Sequence, residues 1–411
     1  MQTDLIRRRH VIYVEGYDPQ GAEGYYRLFE RSWQRFLQIW PLKAGVSALQ
    51  IDSRDFAHWD IDAAAPNWQV FTRYEFLRQE HFIRANMAEP LLRRQIPRAL
   101  AWAFDYVSSG ALVRVARARW EFAAVLAYFQ LMLISWIAVA IGGGWLMAHA
   151  ARHALGLPAL LGVAIGILAA FAIFFALRPL ADRWFIVQIN NHWPHLCAFA
   201  RGEPSCFAGT IEAGAQRVVA AMRANGADEI VVVGHSGGGA LAPAVITRAL
   251  ELDPEIGRRG PRLVLLTLGS IAPGAALHPR AGWLRGLFAR LASEPSVTWI
   301  DAQSRKDVLN FWDFNPIEGI GARVEGEHRN PIVWSVRYRD MLSVEFYGTR
   351  LRYNFFRRHY QLIMANDRRA PYDYFMLVCG PIPVVTWAKN ADPLFRTFGP
   401  DVALPPGGAN A

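Results

Sequence analysis

The apolar positions in the second half of the chain form short continuous runs separated by longer mixed segments. Such runs cover residues 230–233, 263–268, 297–300 and 332–336. A strand that is buried on both faces has this continuous apolar pattern, and the intervening segments are long enough for crossover helices. The pattern therefore predicts an α/β domain whose mostly parallel sheet is covered by helices on both faces.

The first half of the chain shows fewer strand patterns. Residues 10–14 and 46–51 read as strands, and apolar residues at helical spacing between them predict a helix that ends near Trp40. Helical patterns then continue over residues 74–109. We expect the two halves to build one domain, because a separate first domain would hold only two clear strands.

Two long uncharged runs separate these halves. No Asp, Glu, Lys or Arg stands between Glu121 and Arg152, and a second uncharged run covers residues 154–177 before Arg178. Each run is long enough for a helix that crosses the hydrocarbon core of a bilayer, which takes about 20 residues. The short link between the runs predicts a two-helix transmembrane hairpin that interrupts the α/β domain. The alternative is a hairpin buried inside a soluble protein.

Basic residues near the ends of the two runs predict the orientation of the hairpin. Cytoplasmic segments next to membrane spans carry an excess of Lys and Arg. The link holds only Arg152, whereas the outer ends are flanked by Arg114, Arg117, Arg119, Arg178 and Arg183. We therefore expect a multi-pass protein of the inner, cytoplasmic membrane with two spans and with its α/β domain in the cytoplasm.

These patterns predict five segments along the chain. They are a first part of the α/β domain at 1–73, a helical linker at 74–120, the hairpin at 121–178, a second part of the domain at 179–385, and a Pro/Gly-rich tail at 386–411. The first part is expected to hold the early strands, and the second part the catalytic residues.

Composition supports the membrane interpretation and narrows the partners. Of 411 residues, 53% are hydrophobic and 19% are charged, which is apolar for a soluble protein. The formal net charge of +9 fits an anionic membrane surface, and no nucleic-acid motif accompanies it. We expect a lipid bilayer as partner and no nucleic acid, while the oligomeric state stays open.

Cysteine and histidine positions give no indication of a metal or another cofactor. The three cysteines stand at no zinc-like spacing. His192, His195 and Cys197 lie close together, but no carboxylate or further histidine stands at a supporting distance along the chain. We interpret these three residues as part of a membrane-proximal loop.

The most specific chemical signal is the sequence Gly-His-Ser-Gly-Gly at residues 234–238, directly after a predicted strand and before a helix start rich in small residues. A strand, a sharp turn and a helix in this order present the central serine, Ser236, as a nucleophile. Glycines are needed because side chains beside the turn would collide with the neighbouring backbone. The amide of Gly237 is expected to supply half of an oxyanion hole.

A serine nucleophile needs a histidine base. His359 is favoured over His328, because it follows the last predicted strand. The second oxyanion donor is expected from Gly16 and Tyr17, in the loop that follows the first strand. The alternative is that this loop is an ordinary turn without a catalytic role.

Three carboxylates are candidates for the acid that orients the base. Asp307 ranks first, because it lies within the loop after residues 297–300. Asp301, which ends that run, is the alternative acid, and Asp313 ranks third.

The segment around Ser236 resembles the class 3 lipases of the α/β-hydrolase superfamily. The resemblance rests on residues 234–242, followed in the family's order by residues 267–270, by Asp307-Val308 and by His359 with a nearby aromatic residue. It implies an α/β-hydrolase fold, with a Ser236–His359–Asp307 triad, over residues 209–364. The hairpin and the small Gly237 depart from the family pattern.

These features predict a membrane-anchored serine esterase or lipase that cleaves carboxylic esters. Lipid-like acyl esters are favoured as substrates, because the hairpin would hold the site beside the bilayer. A thioesterase or acyltransferase with the same triad is one alternative. An inactive membrane scaffold on a hydrolase fold is another.

Overall fold

The computed structural model describes residues 5–405, which contain one nine-stranded sheet. The strands are β1 Arg8–Val14, β2 Lys43–Val46, β3 Gln50–Ile51, β4 Phe56–Ala65, β5 Trp68–Leu77, β6 Glu229–His235, β7 Arg262–Leu268, β8 Val297–Gln303 and β9 Ile332–Ser335. Their order is β2-β4-β5-β1-β6-β7-β8-β9, and β3 pairs with β4. Strands β5, β1, β6, β7, β8 and β9 are parallel to one another, whereas β4 is antiparallel to its three partners.

Helices connect the parallel strands, and they also follow the last strand. The α-helices are α1 Gly21–Ile39, α2 Glu80–Met87, α3 Ile96–Ser108, α4 Ala111–Ala118, α5 Trp120–His153, α6 Ala159–Arg183, α7 Ile186–Ala200, α8 Ala208–Ala224, α9 Gly238–Leu252, α10 Ala272–Ala276, α11 Gly282–Ser293, α12 Tyr338–Met341, α13 Val344–Phe346, α14 Phe355–Tyr360, α15 Tyr374–Cys379, α16 Val384–Lys389 and α17 Ala391–Thr397. Leu91–Gln95 and Tyr347–Leu351 form π-helical turns, and Gln361–Ile363 forms a 3₁₀ turn.

Both faces of the sheet are buried, as the continuous apolar runs predict. Alternate residues of a strand point to opposite faces. In β6, Val231 and Val233 pack into the core that contains side chains of α1 and α15, whereas Ile230 and Val232 pack into the core that contains side chains of α8 and α9. The mixed α/β fold with a mostly parallel, helix-covered sheet is therefore confirmed.

The first half of the chain contributes five strands rather than two, so the predicted helix over residues 74–109 is wrong at its start. The prediction took residues 74–77 as the start of a helix, although they end β5 and are buried on both faces. This stretch contains Glu75, whose burial beside Arg217 depends on a contact between distant parts of the chain. The boundary predicted after residue 73 falls inside β5, and the strand predicted over 46–51 is divided into β2 and β3.

Strand β1 joins the two halves of the chain into one sheet. It pairs with β5 on one side and with β6 on the other, so that Val14 lies beside Gly234. Both halves of the chain therefore contribute strands to the same sheet.

Helices α5 and α6 are long and apolar enough to cross a membrane. They contain 34 and 25 residues, with mean hydropathy of 2.2 and 2.8 in their most apolar windows. Only 28% and 17% of those windows are buried. Two glycines meet where the helices cross: a Cβ on Gly144 would lie 2.5 Å from the carbonyl oxygen of Gly166.

The predicted C-terminal tail requires correction over its described part. Residues 386–405 include most of α16 and all of α17, and Leu394, Val402 and Leu404 pack into the core that contains α1. The Pro and Gly content misled the prediction, because apolar residues stand between these helix breakers. Residues 406–411 of the predicted tail lie outside the described residues.

Candidate active site

Ser236 stands on a sharp turn between β6 and α9. Its φ of +58° is in the left-handed region, which costs a residue with a side chain about 1–3 kcal/mol. A Cβ on Gly238 would lie 2.0 Å from the carbonyl oxygen of Val14, and one on Gly234 would lie 2.5 Å from the carbonyl oxygen of Gly238. The tight turn and the need for glycines, both expected from the sequence, are present. Ser236 is partly exposed and lines a cavity.

The loop after β1 lies against this turn because β1 and β6 are parallel neighbours. Their carboxyl ends meet at one edge of the sheet. The chain continues from β1 to strands on one side of it and from β6 to strands on the other side. A Cβ on Gly16 would lie 3.1 Å from the amide nitrogen of Gly237 and 3.3 Å from Cβ of Ser236. The structure thus brings Gly16 and Gly237 together beside the serine.

A buried glutamine fixes the peptide planes of that loop. Gln79 Nε2 donates to the carbonyl oxygens of Glu15 at 2.5 Å and Gly16 at 3.0 Å. In a trans peptide the N–H points away from the C=O. The amides of Gly16 and Tyr17 therefore face away from Gln79. The ring of Tyr17 turns toward α7, where its hydroxyl accepts a hydrogen bond from Asn191 at 2.8 Å.

His359 and Asp307 form a buried pair. His359 Nδ1 lies 2.7 Å from Asp307 Oδ2, and the two side chains are 2% and 0% exposed. The other carboxylate oxygen of Asp307 accepts the amide of Leu309 at 2.9 Å. Among residues 5–405, no group bonds His359 Nε2, which is buried in the cavity that Ser236 lines. If Nδ1 donates to the carboxylate, Nε2 is free to accept a proton.

His359 reaches this cavity from helix α14, not from the end of the last strand. β9 ends at Ser335, and the connection from it passes through α12, α13 and a π-helical turn before α14. Tyr338 on α12 donates to the carbonyl oxygen of Arg358 at 2.6 Å, which holds α14 against the sheet edge. The position of the base within a helix was not predictable from strand spacing.

The alternative acids and base lie elsewhere. Asp301 is inside β8, where it accepts hydrogen bonds from Thr267 Oγ1 and from Gln303 Nε2. Burial raises the pKa of Asp301 to about 6. Asp313 and His328 are exposed. Of the three candidate acids, only Asp307 contacts His359.

His192 is a residue of the site that sequence reasoning missed. The segment interpreted as a membrane-proximal loop is helix α7, which is mostly buried. A Cβ on Gly237 would lie 3.0 Å from Cε1 of His192. The imidazole therefore occupies the space that a larger residue at position 237 would need for its side chain. The ring also stacks on Tyr17 with centroids 5.0 Å apart. Burial, with a smaller effect of His195, lowers the pKa of His192 to about 3, which keeps the ring neutral.

The neighbouring residues on α7 have other partners. His195 Nε2 lies 3.0 Å from Arg98, and Cys197 accepts a hydrogen bond from Trp102 Nε1 at 3.2 Å. In the described range 5–405, no group of three His, Cys, Asp or Glu side chains is arranged to hold a metal ion.

The cavity has a volume of about 950 Å³ and a lining that is partly apolar and partly polar. The base of α5 and helix α14 form an apolar wall of Phe122, Leu126, Phe129 and Phe356. The lining also includes the acidic residues Glu15 and Asp18 in the loop beside the serine. Burial raises the pKa of both carboxyls, that of Glu15 well above its ordinary range.

No family model, curated protein or solved structure matches the chain. A hydroxyl on a strained turn, an oriented imidazole with a free nitrogen and two converging backbone segments are the components of nucleophilic acyl transfer.

Proposed function

We propose that the protein is a membrane-anchored serine hydrolase that cleaves carboxylic esters, with Ser236 as nucleophile, His359 as base and Asp307 as the acid that orients it. The observation that supports this most strongly is the buried Asp307–His359 pair, whose free Nε2 lies in the same cavity as Ser236. Along the chain, the nucleophile comes first, the acid second and the base third, which is the order found in α/β-hydrolases.

Strand topology gives independent support for an α/β-hydrolase relationship. The nucleophile follows a central strand, β6, and the loop after the adjacent strand β1 lies beside it. The acid follows β8, and the base follows β9 at the edge of the sheet. This arrangement of nucleophile, oxyanion loop, acid and base is the one that the α/β-hydrolase fold uses.

In the proposed reaction, the Ser236 hydroxyl attacks an acyl carbonyl while His359 Nε2 accepts its proton. The carbonyl oxygen becomes an oxyanion, which the amide of Gly237 and an amide of the Gly16–Tyr17 loop stabilise. Collapse of the tetrahedral intermediate breaks the ester bond, and His359 returns the proton to the leaving alcohol. Water then hydrolyses the acyl-enzyme by the same steps and releases a carboxylic acid.

The proposed substrate is a lipid-like ester, because the cavity is continuous with the hairpin. Phe122, Leu126 and Phe129 line it from the first turns of α5, and Phe129 and Phe356 have ring centroids 6.3 Å apart. An acyl chain entering from the bilayer would meet this apolar wall first. The arginines that flank the outer ends of the hairpin favour a cytoplasmic position for the domain.

Kinetics of the full-length protein in vesicles tests this function. We expect hydrolysis of a long-chain acyl ester embedded in the bilayer to exceed that of a short soluble ester, because the apolar wall binds the longer chain. Ser236→Ala should lower kcat by about 10³-fold or more on both esters. Ser205→Ala, in the turn before α8 and outside the cavity, is the matched control and should keep wild-type rates.

Two other outcomes discriminate the alternatives. A higher kcat/KM on acyl thioesters, or transfer of the acyl group to an added alcohol, would identify a thioesterase or an acyltransferase with the same triad. Absence of turnover on every acyl substrate by the folded protein would favour an inactive membrane scaffold.

A further inference from the structure

The lining of the cavity includes a group of cationic side chains that ester hydrolysis does not require. Two of them stand one turn apart on α1, and the others lie on the π-helical turn and α14. We call them the arginine wall: Arg31, Arg35, Arg350 and Arg357. All four line the cavity that Ser236 and His359 line.

The arginine wall has no carboxylate partners. Within residues 5–405, none of its members forms an ion pair. By contrast, Arg73, Arg78 and Arg98 each lie within 2.7 Å of a carboxylate oxygen. The buried Arg9 likewise has partners for its guanidinium group, because it donates hydrogen bonds to Glu229 and to two backbone carbonyl oxygens. In the arginine wall, the only guanidinium hydrogen bond among residues 5–405 is the one from Arg31 Nε to the carbonyl oxygen of Arg27 at 3.1 Å, and the other donors stay available to a ligand.

A contact with an aromatic ring holds one member of the wall in place. The guanidinium of Arg35 stacks on the ring of Phe346, with its carbon 3.8 Å from the ring centroid. Phe346 directly precedes the turn that carries Arg350, so α1 and this turn meet at the stack. Asp367, whose charge acts on Arg35, accepts hydrogen bonds from the amide and hydroxyl of Ser343 and forms no ion pair with the wall. A guanidinium that is stacked in this way suits the planar, bidentate binding of phosphate oxygens.

Acids in the same cavity do not neutralise the wall. Glu15 and Asp18 lie in the loop beside Ser236, and Tyr360 donates to Asp18 at 3.1 Å. The lining of one cavity therefore combines apolar residues that suit an acyl chain, the nucleophile, and arginines that suit an anionic group.

We propose that the ester cleaved at Ser236 carries an anionic group, a phosphate, on its alcohol part, and that the arginine wall binds it while the acyl chain lies against Phe122, Leu126 and Phe129. This inference rests on the proposed hydrolase function and narrows its substrate to anionic lipid esters. It assigns to the arginine wall a role in substrate selection.

A matched pair of substrates tests the inference. The full-length protein, in uncharged maltoside micelles, is assayed for oleate release from 1-oleoylglycerol 3-phosphate and from 1-oleoylglycerol, which differ only in the phosphate. We expect kcat/KM to be about tenfold higher or more for the phosphate ester. Arg35→Gln combined with Arg350→Gln should remove this preference and leave kcat/KM on 1-oleoylglycerol within about twofold.

Arg27→Gln is the matched control, because Arg27 is exposed on α1 one turn before Arg31 and does not line the cavity. It should keep the full preference. Equal kcat/KM for both esters in the wild type would overturn the inference and leave the hydrolase function standing. An equal loss on both esters in the double variant would also overturn it. Turnover of neither ester, without labelling of Ser236 by a fluorophosphonate, would instead reject the hydrolase function itself.

Discussion

The inner and outer sides of the cavity are built in different ways. On the inner side, Ser236 is set by a strained turn at the end of β6, and His359 and Asp307 are buried against each other. On the outer side, α1, the π-helical turn and α14 provide arginines that form no ion pair among residues 5–405, and the base of α5 provides mostly buried aromatic rings that line the cavity. The function of the inner side depends on the exact positions of a few atoms, whereas that of the outer side depends on its charge and apolar area. Substitutions on the two sides should therefore have different effects.

Removing the negative charge from the inner pair should have the largest effect. Asp307→Asn keeps the shape of the side chain but stabilises the wrong tautomer of His359, so we expect kcat to fall by about 10⁴-fold. Asp301→Asn changes another buried carboxylate that makes no contact with His359 and should keep kcat within about threefold. Steady-state hydrolysis of one ester by both variants, with melting temperatures as a folding control, measures the difference. Equal rates for the two variants would remove Asp307 from the triad.

The hairpin of α5 and α6, whose first helix contributes to the outer side, should lose its proposed membrane attachment when charge is added to α6. Leu168 and Phe171 are exposed on α6, and arginine costs about 2.5–3.5 kcal/mol at the centre of a membrane-spanning helix. We expect Leu168→Arg with Phe171→Arg to release a large part of the protein from membranes in alkaline carbonate. Val344→Arg with Tyr353→Arg changes two even more exposed residues of the α/β domain and should leave the protein in the membrane fraction. A wild-type chain that stays in solution without detergent would contradict the membrane assignment.

A methyl group at the oxyanion loop should have a smaller effect that is confined to the chemistry. In Gly16→Ala the added carbon would lie 3.1 Å from the amide nitrogen of Gly237, so the loop must shift away from the serine. We expect kcat to fall by about 10- to 100-fold with little change in KM, since an oxyanion donor acts mainly in the transition state. Gly226→Ala, at a glycine without close neighbours, is the control. A rise in KM alone would indicate a role in substrate binding instead.

Asp301 should produce the smallest effect, a change of stability with pH. Its pKa rises from 3.8 to about 6 on burial, so the folded chain binds this proton more strongly than the unfolded chain does. The free energy of unfolding should therefore fall as the pH rises from about 4 to about 6, by about 3 kcal/mol at most. The melting temperature of Asp301→Asn minus that of the wild type should increase between pH 4.5 and pH 7.5. Parallel melting curves would contradict the buried, titrating carboxyl.

The sequence predicted the inner side of the cavity much better than the outer side, for a physical reason. In a parallel sheet, residues that follow the carboxyl ends of neighbouring strands meet at one edge. Ser236, Asp307 and Gly16 all follow strands that were recognised as apolar runs, so their proximity could be anticipated. The β4–β5 hairpin was missed; the end of β5 contains Glu75, which is buried beside Arg217 through a contact that the local sequence does not reveal.

The residues that sequence reasoning missed depend on tertiary packing. His192 lies against Gly237 only because α7 turns back from the hairpin onto the nucleophile turn, and nothing in the local sequence indicates this path. The arginine wall combines α1 with a turn more than 300 residues further along the chain. No periodicity within either segment reveals that they share a cavity.

Covalent labelling of Ser236 tests the central claim most directly. The full-length protein in detergent micelles is treated with a fluorophosphonate, which reacts with activated serines, and the modified peptide is sequenced by mass spectrometry. We expect one phosphonate on Ser236, lost in Ser236→Ala and retained in Ser270→Ala, whose buried hydroxyl lies close by and accepts the amide of Ala272. A folded wild-type protein that stays unlabelled, or labelling that persists in Ser236→Ala, would contradict the account.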